Sequence, residues 1–342
     1  MKMAWKEMMK YKTRYLILGS IIFLISFLTL IISGLANGLS YDNASLVKNM
    51  PEGTYYMESE AEEEYNFSEI SESQREEIEG THPDAVFMSV QMGELEDEDE
   101  QKHGITYVTA TDNEFFPDVE KGELILDESI QEDGIEAGDE LSTNLMDDTF
   151  TVSDFAEQEK FSHSAVAFIH PDDFMNMYQS EKYQLAFTED EEEDIDEMSA
   201  FNQNQFLNTI PSYSAEMLSL NMIIAFLFII SGMLFAIFFY MINVQKLGTY
   251  GILKAVGVKT MTLLRLMWVQ MILVTLISLI IAISLSQLIT LVLPEGMPYQ
   301  LPLETSAVMA AGFFIIGFIG ATLSGIQISK VEPMEAINQG GA

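Results

Sequence analysis

The sequence predicts a membrane α-helical protein with four transmembrane helices and an α+β extracellular domain inserted between helices 1 and 2. Three observations carry this. Uncharged or nearly uncharged apolar runs occupy residues 16–35, 218–244, 266–293 and 306–328, and at ~1.5 Å per residue each can cross a hydrocarbon core of ~30 Å. Charge is segregated: 53 acidic residues against 16 Lys and Arg give a formal net charge of −37, yet basic residues gather at the ends of the apolar runs. The long stretch between the first two runs alternates short β-rich segments with a capped helix, Gly, Pro and acidic turns.

Residues 1–14 form a cytoplasmic amphipathic segment, in which Lys2, Lys6, Lys10, Lys12 and Arg14 alternate with Met3, Trp5, Met8, Met9 and Tyr11. Such a segment lies at a membrane interface or serves as a topogenic basic flank. The first helix is placed at 15–40. A basic start, an apolar run and the small residues Gly34 and Ala36 resemble a cleavable signal, but the run exceeds the usual length of a signal core, so it is read as a retained anchor. Ser33, Gly34 and Gly38 near its far end permit close helix packing.

The acidic domain is placed at 41–216, opening with a link over 41–50. Strands are expected at 54–58, 85–92, 104–111, 123–126, 149–154 and 165–169, and a helix at 71–79 with Ser71 as cap. Two acid runs, 94–100 and 189–197, lack the ligand spacing and turn glycine of a calcium loop and read as solvated loops. His82, His103, His163 and His170 form no i, i+4 ligand pair and read as surface or structural residues. With no cysteine, no disulfide framework or thiolate site exists. No phosphate loop, nucleophile elbow or zinc-protease motif occurs, so no catalytic residue and no metal site is assigned. The acidity argues against nucleic acid as a partner.

Helix 2 is placed at 217–244. Glu216 lies at its lip, where an ionisable side chain faces water, a partner or a ligand. A loop over 245–262 follows, inside a basic stretch carrying Lys246, Lys254, Lys259 and Arg265 without an acid. Leu247, Ile252, Leu253, Val256 and Val258 recur at helical spacing, with Gly248, Gly251 and Gly257 between them, so it reads as a short helix plus turn. Basic loops mark the cytoplasmic side, which puts both termini in the cytoplasm of a multi-pass cell-membrane protein and the acidic domain outside. Helix 3 is placed at 263–293, ending at Pro294. An extracellular loop follows at 294–305, and helix 4, with Gly312, Gly317, Gly320 and Gly325, at 306–328. Residues 329–342 form a cytoplasmic tail.

One span, a large domain, three spans, the loop QKLGTYGILKAVGVKT at 245–260 and the tail VEPMEAI at 331–337 together resemble the FtsX-like, MacB-type permeases of ABC transporters. The resemblance covers essentially the whole chain. Within that family MKMAWKEMMKYKTRYLIL at 1–18, ISGLANGLSYDNASLVKNM at 32–50, YSAEMLSLNMI at 213–223 and FFYMINVQKLG at 238–248 are similar to the haem-efflux permeases of Gram-positive bacteria. It implies a chain that is not itself an enzyme: two copies pair with two copies of a separate ATPase that uses the ATP. Closure of the ATPases is then passed on mechanically through Lys246, Gly251, Ile252, Leu253, Lys254, Val256 and Gly257. No cofactor is held permanently. Haem, entering from the membrane lipid, is the expected cargo, with Glu216, Tyr213, Met217 and Met222 offering oxygen or thioether ligands beside Phe27 and Leu28. Export of a lipid, lipopeptide or antimicrobial peptide, or transmembrane signalling to a cell-wall hydrolase or sensor kinase, are the alternatives.

Overall fold

A computed structural model describes residues 2–293 and 297–330; Pro294, as the end of the third span, and the tail from Val331 onward lie outside them. The chain forms two compact units, Met1–Gly38 with Ser219–Ala342, and Leu39–Leu218.

The helical unit begins with α1 (Lys2–Lys10) and the greater part of α2 (Lys12–Lys48). The helix of α2 runs on through residues 41–48, where the sequence reads as a link, with one non-helical residue at Ala44 (φ −148°, ψ 32°). Ala44, Leu46 and Val47 are buried and extend the helical pattern into the core of the second unit.

That unit contains β1 (Thr54–Glu58), α3 (Glu72–Thr81), β2 (Val86–Glu96), β3 (Lys102–Ala110), β4 (Glu123–Asp127), β5 (Glu140–Thr143), β6 (Met146–Ala156), β7 (Lys160–Phe161), β8 (Ser164–Ile169), α4 (Pro171–Tyr178), β9 (Leu185–Thr188), β10 (Met198–Asn202) and α5 (Gln203–Thr209). The strands form one mixed sheet in the order β10-β1-β9-β2-β3-β8-β4-β6-β5, with β7 on β8. The pairs β3–β8 and β4–β6 are parallel. The sheet closes on itself where Glu96 of β2 pairs with Ser142 of β5, so the six strands from β2 to β5 enclose Leu95, Tyr107, Leu124, Phe150 and Val152. On the other side of β1, β2 and β9 a second core gathers Met50, Tyr55, Phe187, Phe201, Phe206 and Ile210, with the Tyr55 and Phe206 rings stacked 4.5 Å apart.

Helix α3 starts where Ser71 predicts it. The Ser71 hydroxyl accepts from Gln74 N and the Gln74 side chain reaches back to Ser71 N, a reciprocal capping box. Residues 97–100 and 189–197 of the acid runs are loops, as expected for solvated charge, and 94–96 departs from that expectation. Residues 94–96 are strand, paired in register with 102–104 of β3, because alternation lets acidic side chains face solvent from a half-buried strand. In the 189–197 run the acids are exposed, but Tyr56 Oη accepts from Glu193 N at 2.9 Å and donates to Glu193 O at 3.1 Å, while Ile195 is buried. One tyrosine and one isoleucine fix a segment whose charges would otherwise keep it open.

The chain returns through α6 (Pro211–Gln245), α7 (Leu247–Ala255), α8 (Thr260–Thr290) and α9 (Leu303–Lys330). Among the described residues four helices, α2, α6, α8 and α9, are long and apolar enough to cross a membrane. Within the helical unit Phe235, Phe239, Met267, Met271 and Ala321 pack with Leu18 and Ile22 of α2. Gly34 and Gly38 let α2 approach the segment before α9: Gln300 N donates to Gly34 O at 3.0 Å, and a Cβ on Gly38 would lie 2.2 Å from the Pro298 carbonyl.

Gly38→Ala forces the Pro298 backbone to move, and overpacking of this kind costs about 1–3 kcal/mol. We expect a clear fall in the thermal midpoint of the purified protein. Gly80→Ala in α3, where the added carbon meets open space, should leave the midpoint unchanged or raised.

Candidate functional site

The inserted unit concentrates its polar side chains where α2, α6 and the β7–β8 hairpin meet. The hairpin turn consists of Ser162 and His163 alone, since Phe161 pairs with Ser164. Both turn residues are left-handed, at φ 54° and 64°, as a two-residue turn with the twist of its strands requires. Neither is glycine, so the conformation is strained and something must hold it. The Ser162 N–H donates to Asn43 O at 2.7 Å, and the Ser162 and Ser212 hydroxyls lie 3.0 Å apart.

His163 projects between two helices. Its Nδ1 is 3.0 Å from Asp42 Oδ2 on α2 and its Nε2 is 2.9 Å from Glu216 Oε1 on α6. Burial lowers the imidazole pKa, but hydrogen bonds to Asp42 and Glu216, together with their charges, outweigh it, and the net shift is upward. A protonated ring donates from both nitrogens, one to each carboxylate. Because the two acids sit on opposite nitrogens, the three side chains do not converge on one ion, and no metal-holding group of three such residues occurs among the described residues.

Each carboxylate has a second partner. Lys160 Nζ is 2.8 Å from Asp42 Oδ1. The buried Asn43 donates from Nδ2 to Glu216 Oε2 at 3.4 Å and accepts at Oδ1 from Ser212 Oγ at 3.1 Å. Glu216 therefore has both oxygens engaged while its side chain keeps about a third of its surface exposed. Three residues back on α6, Tyr213 Oη accepts from Ser40 Oγ at 3.1 Å, and the Lys48 ammonium lies over the Tyr213 ring.

Of the six residues expected to hold cargo, Tyr213, Glu216 and Met217 fall in the inserted unit, and Phe27, Leu28 and Met222 in the helical unit. Leu28 and Met222 are exposed, and Phe27 stacks on Phe23 at 5.7 Å. The sequence reading takes His163 as a surface or structural residue and gives no role to Asp42, Asn43 or Ser212. His82 and His103 are buried and His170 caps α4, so a structural role fits those three, whereas His163 is the joint between two helices. The signal available in sequence was weak: a charged or aromatic residue at the apex of a two-residue turn, with no Asn-Gly or Gly to announce it.

The basic stretch forms a second candidate site in the helical unit. The α7 helix ends in a glycine turn: Gly257 is left-handed at φ 94°, its N–H donates to Lys254 O, and Val258 N donates to Leu253 O. Leu253 packs into the core and Gly251 is buried, while Ile252 and Val256 project outward, Val256 being 81 % exposed. Lys254 Nζ donates to Ile328 O of α9 at 2.6 Å, Tyr250 Oη donates to Asn243 Oδ1, and Asn243 Nδ2 donates to Ser324. Lys246 pairs with Glu7 of α1, whose other oxygen accepts from Gln270 Nε2 of α8 at 2.7 Å. The short helix is thus tied to three others.

Known proteins were compared with this chain. A family description, FtsX-like permease C-terminal, matches residues 221–333. A protein of Staphylococcus haemolyticus with the provisional name hemin transport system permease protein is 32 % identical, over 98 % of this chain and 99 % of its own length. Proteins of the same provisional name from two strains of Staphylococcus epidermidis are 27 % identical over 99 % of this chain and all of theirs.

Two measurements follow from this geometry. The Glu159 carboxyl, beside the hairpin, is pushed up to about 7, first by burial, with Asp127 adding to it and the Asn49 hydrogen bond opposing it. The folded state then holds a proton that the unfolded state has released above its ordinary carboxylate range, so stability falls as pH rises from about 4.5 to 7. Thermal midpoints across that window should fall less steeply in Glu159→Gln. In the helical unit, Glu7→Ala and Lys246→Ala should be non-additive by about 1–3 kcal/mol in a double-mutant cycle of unfolding; additivity would dissolve the tie between α1 and α7.

Proposed function

The chain belongs to the FtsX-like permease family, and on that premise we propose that it is the membrane subunit of an ABC-type efflux system that removes haem from the membrane, driven by a separate ATPase. The observation that carries this reading is the end-to-end likeness to proteins named as hemin transport permeases: the inserted unit and the basic stretch both fall inside the matched length. In this reading the chain works as a pair with two ATPase subunits, its termini and α7 are cytoplasmic, and the strand-rich unit is extracellular.

The exposed Ile252 and Val256 ridge on α7 is the surface offered to the ATPase. Because α7 is bonded to α9 and, through Glu7, to α1 and α8, a push on that ridge moves the bundle rather than one loop. Haem requires an apolar slot for its ring and an oxygen, nitrogen or sulfur ligand for its iron. Glu216, with Tyr213 one turn away on α6, supplies oxygen donors, and Met217 beside it supplies sulfur.

Permease reconstituted with its ATPase should hydrolyse ATP faster when haem is added. Stimulation by a lipid or cationic peptide with no response to haem would transfer the reading to that amphiphile, and a response to no cargo would favour signalling. Ile252→Asp with Val256→Asp should abolish the stimulated rate while the haem-titrated Soret band of the permease alone stays as in the wild type. Glu216→Ala should weaken haem binding by about tenfold or more, the scale of one lost charged ligand interaction; an unchanged Soret band removes Glu216 from the site.

A further inference from the structure

The Glu216 carboxylate is not open to a ligand in this structure. Oε1 is held by His163 at 2.9 Å and Oε2 by Asn43 at 3.4 Å. The first bond is the stronger, because it is shorter and charge-assisted. A cargo group that takes up a carboxylate oxygen, such as a ferric iron, competes with a donor already in place. His163 is the only one of the two donors that belongs to the sheet; Asn43 sits on α2 beside the non-helical Ala44.

We propose that His163 is a positioning residue of the cargo lip: the β7–β8 hairpin clamps Glu216 while the lip is empty, and cargo that ligates Glu216 displaces His163 and so frees the hairpin. The inference rests on the haem reading above and adds to it a route by which loading is felt by the strand-rich unit. The hairpin has reason to relax once released. Its two turn residues are non-glycine and left-handed, and the bonds that hold them there are few: Ser162 N to Asn43 O, the Ser162 and Ser212 hydroxyls, and on His163 the two carboxylates and the Asn43 amide. Losing Glu216 leaves the ring with Asp42, which is shared with Lys160, and with Asn43, whose Nδ2 lies 3.0 Å from His163 Nε2. The strand next to the turn is β8, which pairs with both β3 and β4, so a change at the turn is delivered to the middle of the sheet.

A merely structural histidine would behave differently. If His163 only held the fold together, its loss would weaken haem binding along with everything else. If it is a competitor, its loss strengthens haem binding. Glutamine retains an amide donor and should fall between.

The test is a haem titration of the purified full-length permease in lipid nanodiscs, followed at the Soret band, for wild type, His163→Ala, His163→Gln and Glu216→Ala. We expect His163→Ala to bind haem about tenfold tighter, the scale of one charge-assisted hydrogen bond, with the Soret position unchanged, and His163→Gln to lie between it and wild type. Hydrogen exchange in the same samples reads the hairpin directly. Haem should speed exchange of the Ser162 amide in wild type, and His163→Ala should show the fast rate without haem. A weaker affinity with a shifted Soret band in His163→Ala would make His163 a ligand and overturn the clamp, and equal affinities for wild type and His163→Ala would overturn the competition. Should His163→Ala fail to fold, His163→Gln carries the same decision. Failure of the haem reading is a separate result, namely Glu216→Ala binding haem as wild type does.

Discussion

An imidazole placed between two carboxylates from different helices is the interaction on which the inserted unit depends. Asp42 and Glu216 are far apart in sequence and carry the same sign, so bringing them to one ring would cost free energy without a cation between them. Lys160 supplies one cation. His163, its burial outweighed by the two carboxylates so that its pKa is raised, supplies another when protonated, and Asn43 fills the remaining acceptor. In a chain with so large an excess of acids, such positions are scarce: the inserted unit places its few basic residues against carboxylates, as in Arg75 with Glu79, Lys102 with Glu94 and Lys182 with Glu69. Those pairs are exposed and worth little. The His163 pair is half-buried and joins separate segments of chain, so it constrains geometry more than it adds stability.

The helical unit follows a similar logic with a different chemistry. Its polar side chains are rare and several find partners across helices: Tyr15 donates to Gln270, Gln270 to Glu7, Asn243 to Ser324, and Trp268 to Thr322. Apolar packing alone lets lipid-facing helices slide, because lipid tails offer the same environment as leucine. Hydrogen bonds of fixed length fix the register. They cluster around Glu7, Lys246 and Asn243, the neighbourhood of the short basic helix.

Much of this fold was legible in the sequence, for reasons that differ by element. The four apolar helices announce themselves by length, and α3 by its Ser71 cap. Strands β1, β2, β3, β4, β6 and β8 show as β-branched and aromatic runs between turns. Strands β5, β9 and β10, at four or five residues each, are too short to show a period, and helices α4 and α5 are only about two turns each, anchored by Phe174 and Phe206. The acids at 94–96 misled because like charge argues for solvation, whereas their strand is fixed by pairing with 102–104. The 189–197 run is the exposed loop its charge argues for, and what the sequence hid there is its anchoring by Tyr56 and Ile195 through tertiary contacts. The same limit hid His163. Glu216 could be singled out because a carboxylate beside an apolar helix is anomalous in one dimension; the histidine that answers it is anomalous only in three.

The eleven-residue strand β2 has a consequence for how this family of sequences can vary. Its first residues pair with β9, Met88 to Glu96 pair with β3, and Glu96 at its end pairs with β5, so it is shared by the open and the closed parts of the sheet. A single inserted residue within it would turn every following side chain to the opposite face, and would do so for both parts together. Insertions and deletions should therefore be absent from 86–96 in homologous chains and collect at the 97–101 tip, where the strand has already passed its last partner. Divergence in loop length there would mark a site at which lineages differ without disturbing the sheet.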